Sequence, residues 1–144
     1  MNKLKAIAEF DHLDIGVAGT LSTGAKQVIV APFQCVVKAL LGRVRVAGTT
    51  GAMNIDVQRN GASIFASGAA GIQFASASTT PTYGPFAAQN PAQLQKGDIL
   101  TVNVTTVHTT PAIDLGLAIV LQRLRGGGPV AATVTDTLGV ENEP

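Results

Sequence analysis

The stretch Met53–Phe65, MNIDVQRNGASIF, sets an Asn-Gly pair between two runs that alternate apolar and polar residues. Asn and Gly both tolerate positive φ, which a two-residue type I′ turn demands, so this pattern is a strong local hairpin signal. It commits residues 53–59 and 62–66 to antiparallel pairing, with Met53, Ile55 and Val57 on the inner face. Period-two alternation recurs at Leu100, Val102 and Val104 within 96–110, and at Leu115, Leu117, Ile119 and Leu121 within 111–124. That period sets successive side chains on opposite faces of a strand. Ile55, Val57, Leu100, Val102, Val104, Leu117 and Ile119 are the expected core.

The rest of the chain fits the same plan. Residues 12–17 are an expected first strand, 19–24 a loop, and 26–33 a strand with Val28 and Val30 on one face, stopped by Pro32, which has no N–H for the ladder. Residues 35–51 form the longest strand candidate. One of its parities changes from apolar (Val37, Ala39, Leu41) to basic (Arg43, Arg45) across Gly42, where a bulge or bend is expected. Lys96-Gly97-Asp98 is an expected turn. Between the hairpin and that turn lies a long Ala-, Ser-, Thr- and Pro-rich stretch, of a length that usually has a task or a partner. Residues 1–11 read as an arm with room for one helical turn. Residues 126–144 read as a second arm, opened by Gly126-Gly127-Gly128-Pro129 and carrying Asp136, Glu141 and Glu143 but no base. The expectation is therefore all-β: an antiparallel β-sandwich or jelly roll over 12–125, with an extended arm at each end.

Composition narrows the function classes. Charged residues are 13% of the 144, against roughly a quarter in an average chain. Two readings fit: surface covered by partners, or a compact Ala/Gly-rich β domain. The formal net charge of +1 and the scattered aromatics lack the basic stripe of a nucleic-acid binder. The longest apolar stretches, near 28–41 and 112–121, are interrupted and too short to cross a bilayer. No signal peptide is expected, because no long apolar run follows Lys3 and Lys5. Cys35 is the single cysteine, so no disulfide forms within the chain, and a buried structural thiol is expected.

Chemistry has few residues to work with. His12 and His108 are the only histidines. His108 could form a triad with Asp114 and a Ser or Thr, but no nucleophile-elbow sequence accompanies it. A surface or strand-end position is its expected role. One Cys, two distant His and scattered acids give no zinc or calcium spacing, and no phosphate loop is present. The expectation is no enzyme: no catalytic, cofactor-binding or metal-binding residues, and no cofactor. Arg43 with Arg45, and Arg123 with Arg125, each project from one side of a strand. They read as solvated or paired faces, or as contacts to an acidic protein partner.

Taken together, IDVQRNGASIFASGA and PAQLQKGDILTVNV, a strand, Asn-Gly, a strand, a loop and Leu-x-x-Gly-Asp leading into a strand, resemble a recurring half of trimeric jelly-roll domains. Heads similar to the C1q and tumour-necrosis-factor families carry it, as do β-sandwich structural proteins of tailed phages. The resemblance is one of pattern and covers about residues 33–124. The collagen-like stalk, aromatic-rich core and cysteines of the C1q group are absent, so the chain looks most like a phage capsid decoration (cement) protein. That resemblance implies a homotrimer bound to the major capsid protein on the outer surface of the virion, made in the host cytoplasm, with no catalytic residues, nucleic acid or membrane involved. The arms fit it. The Val/Thr alternation of 129–140 suits a strand added to a neighbour's sheet edge, and equally suits a disordered tail. A carbohydrate- or receptor-binding jelly-roll module of a phage tail or fibre is the alternative, with Tyr83 as its one available tyrosine platform.

Overall fold

The computed structural model describes residues 9–87 and 93–124. They form ten strands: β1 (Glu9–Thr20), β2 (Gly24–Val30), β3 (Cys35–Val46), β4 (Met53–Arg59), β5 (Ala62–Ser63), β6 (Ile72–Phe74), β7 (Thr82–Tyr83), β8 (Gln93–Leu94), β9 (Ile99–Thr106) and β10 (Ile113–Arg123). One sheet, sheet A, runs β1-β10-β3-β8; the other, sheet B, runs β2-β9-β4-β6-β7, with β5 also on β4. Every pairing is antiparallel.

The pairing is nested. β1 pairs β10, β2 pairs β9, β3 pairs β8, and β4 pairs β6. Successive strands of the first half alternate between the two sheets. A long antiparallel ribbon, rolled so that its turns lie against each other, gives this connectivity, which is a jelly roll. The expected all-β sandwich is what the chain forms. β1 begins at Glu9, inside the span expected as an arm, and it runs on through Thr20 into the expected 19–24 loop. Residues 1–8 and 125–144, which hold the remainder of both expected arms, lie outside the described residues.

The core sits between the sheets and follows the period-two residues. Ile55, Val57, Leu100, Val102, Val104, Leu117 and Ile119 are all buried, as expected. Leu117→Ala should lower stability by about 2–5 kcal/mol, because it removes a buried side chain from a core that can only partly collapse. A thermal melt reads this directly; an unchanged midpoint would contradict the inward placement of β10's odd-numbered residues.

The hairpin forms where its turn chemistry placed it. Asn60 and Gly61 have φ of 49° and 90°. Its second strand is short, with Gln58 opposite Ser63 and Arg59 opposite Ala62. β6 then takes over pairing along β4, with Met53 opposite Phe74 and Ile55 opposite Ile72. The long stretch between hairpin and Lys96-Gly97-Asp98 turn thus contributes three short strands and three buried anchors, Ile72, Phe74 and Leu94.

Gly42 is not the bulge. The ladder between β3 and β10 slips at Lys38, where Val120 faces Ala39 and Leu121 faces Val37. Inward residues are Cys35 and Val37 before the slip, and Leu40, Gly42 and Val44 after it. The apolar-to-basic change therefore reflects the parity moving outward at Lys38. Gly42 is needed for space: a Cβ there would lie 3.4 Å from both Phe74 Cζ and Pro81 Cγ, and its N–H donates to the Tyr83 hydroxyl at 2.8 Å.

Candidate functional site

The residues that carried the resemblance meet in space. The Asn60 amide donates to Asp98 at 3.1 Å, and its carbonyl oxygen accepts from the Ile99 N–H at 2.9 Å. Asp98 accepts the Gln95 N–H at 2.9 Å, closing the Leu-Gln-Lys-Gly-Asp turn on itself. Arg59 reaches the Gln93 carbonyl and lies 3.9 Å from Asp98. The Asn-Gly hairpin and the Gly-Asp turn are thus one brace joining β4 to β9. All the polar atoms named are occupied by each other, so the brace is structural.

A second brace spans the other sheet. Asp114 accepts the Gly19 N–H at 2.5 Å and the Arg45 Nε–H at 2.6 Å. It has φ of 59°, a conformation in which Asp is more tolerable than most residues. The Gln95 N–H, then the Asn60 amide, hold the Asp98 carboxyl below the ordinary aspartate range. The Gly19 N–H, then Arg45, do the same for Asp114. A carboxyl depressed in the folded state stabilises the protein above its unfolded pKa and loses that contribution as pH falls. The melting midpoint should therefore decline as pH drops through the ordinary aspartate value near 3.8 and below. The double variant Asp98→Asn/Asp114→Asn, melted over the same range, should be less stable at neutral pH and show a shallower acid decline.

These contacts also dispose of the triad. Asp114 is engaged by Gly19 and Arg45, while His108 Nε2 lies 3.2 Å from the Ala75 carbonyl. His108 is not at the surface as expected; it is 2% exposed, packed against Gly48, and its Nδ1 has no hydrogen-bond partner among the described residues. Cys35 is fully buried, and its burial, followed by the charge of Asp98, pushes the thiol pKa up. A thiol held protonated is a poor nucleophile. Among the described residues no group of three or more His, Cys, Asp or Glu is placed to hold a metal ion. No helix among them is long and apolar enough to cross a membrane.

What remains are the two outer sheet faces, and they differ. Sheet B turns out a polar row whose members bond to each other: Gln73 donates to Asn54 at 3.0 Å, and Gln58 and Ser63 both donate to Asp56. The outer face of sheet A is built from small and apolar residues. Asp14, Ala118 and Leu41 lie in one cross-strand row, and Gly16, Gly116 and Arg43 in the next. Leu41 and Phe10 are 60% and 62% exposed. Charge on this face is split by strand. Asp14 stands on β1, 3.3 Å from His12, while Lys38 and Arg43 are exposed on β3 with no ion pair among the described residues.

Of the expected basic pairs, Arg43 and Arg45 do share a side of β3, but only Arg45 has an acid partner. Arg123 stacks 4.5 Å over the Phe33 ring, and Arg125 lies outside the described residues. Tyr83 is 42% exposed, with its hydroxyl tied to Gly42. The sequence reading missed the face of sheet A, although it carries a signal. On β10 the residues between the inward leucines are Gly116, Ala118 and Val120, so the strand is apolar or small on both parities, as strands covered on both faces are. No family model, curated protein or solved structure matches the chain.

Proposed function

We propose that this chain is a structural virion protein, a homotrimeric capsid decoration protein that sits on the outer capsid surface and stabilises the shell by bridging neighbouring subunits. The observation that carries the self-assembly is the outer face of sheet A, which is small, apolar and split in charge on an otherwise polar, tightly braced domain. Exposed apolar faces rimmed by charge are where soluble proteins meet partners. Attachment to a capsid rests on the resemblance carried by the Asn-Gly hairpin and the Gly-Asp turn, and on the arms expected at both ends. The braces favour a scaffold: their polar groups hold strands together, leaving the surfaces to do the binding. Contacting several capsid subunits at once makes later contacts intramolecular, so individually weak contacts add to firm attachment.

The test is to add purified protein to capsids that lack it and to heat the shells. Bound protein and a raised temperature of shell disruption are expected; capsids that neither bind it nor gain heat resistance overturn the reading. A truncation at Gly128 separates scaffold from arm. Leu124 is the last described residue and its N–H donates to the Gln34 carbonyl at 2.9 Å, so the cut leaves the described fold whole. Circular dichroism should be unchanged while capsid attachment weakens. About 15 extended residues reach up to about 50 Å, far enough for a neighbouring subunit. Equal attachment by the truncated chain would remove the arm from the mechanism.

The carbohydrate-binding alternative would use the polar row of sheet B. Its amides and hydroxyls largely satisfy each other, and Tyr83 donates or accepts at Gly42 rather than standing free as a stacking platform. Binding on a glycan array would favour it.

A further inference from the structure

We propose that the outer face of sheet A is where one copy of this chain meets the next, with the acidic β1 side of one copy set against the basic β3 side of its neighbour. The inference rests on the self-assembly in the reading above and names the surface and the polarity that produce it.

The face is suited to close approach. Gly16 and Gly116 lie opposite each other on β1 and β10, and a Cβ built on either meets no atom within 4 Å. The middle of the sheet is therefore low and open, with Ala118 and Val120 continuing along β10. Leu41 stands up beside it on β3 at 60% exposure, and Phe10 stands at the β1 end at 62%. A low central trough with tall apolar side chains at its margins can interlock with a second surface of the same kind. Sheet B offers no such relief, because its outer row is filled by side chains bonded to one another.

Charge identifies the occupant. Asp14 is on β1; Lys38 and Arg43 are on β3, on the far side of β10. With strands about 4.8 Å apart, acid and base are separated by about 10 Å across the sheet, too far to neutralise each other directly. Lys38 is placed outward by the β-bulge, the one irregularity in the β3–β10 ladder. A surface acidic along one side and basic along the other is complementary to another copy of itself. When the acidic side of each subunit meets the basic side of the next, the contact is heterologous, and it closes into a ring when the rotation divides the circle. Three subunits satisfy this with one type of contact.

Charge reversal tests it on the full chain. Asp14→Lys alone, and Lys38→Glu with Arg43→Glu, should each weaken association about tenfold or more, read by sedimentation across a concentration series. All three changes together should restore it, since the polarity is inverted on both sides. Circular dichroism confirms that each variant keeps its β fold. Dissociation by each half and recovery in the combined variant is the expected result. Three outcomes overturn the inference. An oligomer that ignores both reversals places the contact elsewhere and leaves the self-assembly reading standing. Dissociation without recovery rejects the proposed pairing. A wild-type chain that stays monomeric at every concentration removes the self-assembly reading as well.

Discussion

Gly71→Ala is expected to leave the protein unable to hold its native sheet B, with a stability loss on the order of 4 kcal/mol or more, the range reached by few single substitutions. Two independent effects combine. Gly71 has φ of 75°, where a residue with a Cβ is strained. A Cβ there would also run into the carbonyl oxygen of Ile55 on β4, with the Phe65 ring 3.4 Å away on another side. The obstruction is backbone in the middle of a sheet, so no side chain can swing aside to relieve it. Gly71 further ties two segments together, since its carbonyl accepts the Gly84 N–H at 2.7 Å. Displacing it disturbs both the β4–β6 pairing and the loop that leads to Tyr83. Far-UV circular dichroism and denaturant unfolding check the result. A variant that unfolds at the wild-type midpoint would mean that β6 is not packed against β4 as closely as described. Gly61→Ala is the matched control, because a Cβ at Gly61 meets nothing within 4 Å although its φ is also positive, at 90°. Its cost should be the conformational part alone, about 1–2 kcal/mol.

The contrast between these two glycines also marks how much of the fold was legible in the sequence. Gly61 was readable because the Asn-Gly turn is local chemistry: two adjacent residues that accept positive φ between alternating runs. The inward residues of β4, β9 and β10 were readable for the same reason, since each strand is long enough to display its period. Gly71 was not readable. Its requirement comes from Ile55, sixteen positions earlier, and from the strand pairing that brings the two together. β6, β7 and β8 are two or three residues long and cannot display a period at all. The slip at Lys38 belongs to the register between β3 and β10, which lie some eighty positions apart, so the change in parity was assigned to Gly42, the residue with an obvious local excuse.

The same distinction applies to surfaces. Low charge raised the idea of covered surface without saying which surface. Only the cross-strand rows bring Asp14, Ala118 and Leu41 side by side, and only they place acid and base on opposite sides of one sheet. The motif residues Asn60 and Asp98, which are prominent in the sequence, turn out to brace the sandwich. The residues with the best claim to contact a partner are ordinary ones whose meaning comes from register.

Gly48→Ala is the second substitution expected to be severe, and it carries the explanation of His108. A Cβ on Gly48 would lie 2.5 Å from His108 Cγ and 2.8 Å from the Thr110 carbonyl oxygen. The imidazole fills the space that a side chain at 48 would occupy, which is how a histidine in the loop-like sequence TTVHTTP comes to be 2% exposed. From there His108 Nε2 reaches the Ala75 carbonyl at 3.2 Å, joining the chain after β9 to the loop after β6. Around it, Thr49 and Thr110 exchange backbone hydrogen bonds at 2.9 and 3.1 Å, and the Ala77 N–H donates to the Gly48 carbonyl at 2.7 Å. Three loops at one end of the sandwich are therefore held by a single histidine seated on a glycine. Gly48→Ala should expel the ring, break the contact with Ala75 and lower stability by about 2–4 kcal/mol, through overpacking and a lost buried hydrogen bond. His108→Ala should cost a similar amount by leaving a cavity instead. The combined variant decides the matter. If the ring and the missing Cβ share one space, Gly48→Ala should cost much less when His108 is already Ala, because the new methyl then enters an emptied site. The residual cost comes from the Thr110 carbonyl, which does not move aside. Denaturant unfolding of the two single variants and the double variant measures this coupling; strictly additive losses would show that Gly48 and His108 do not compete for the same volume.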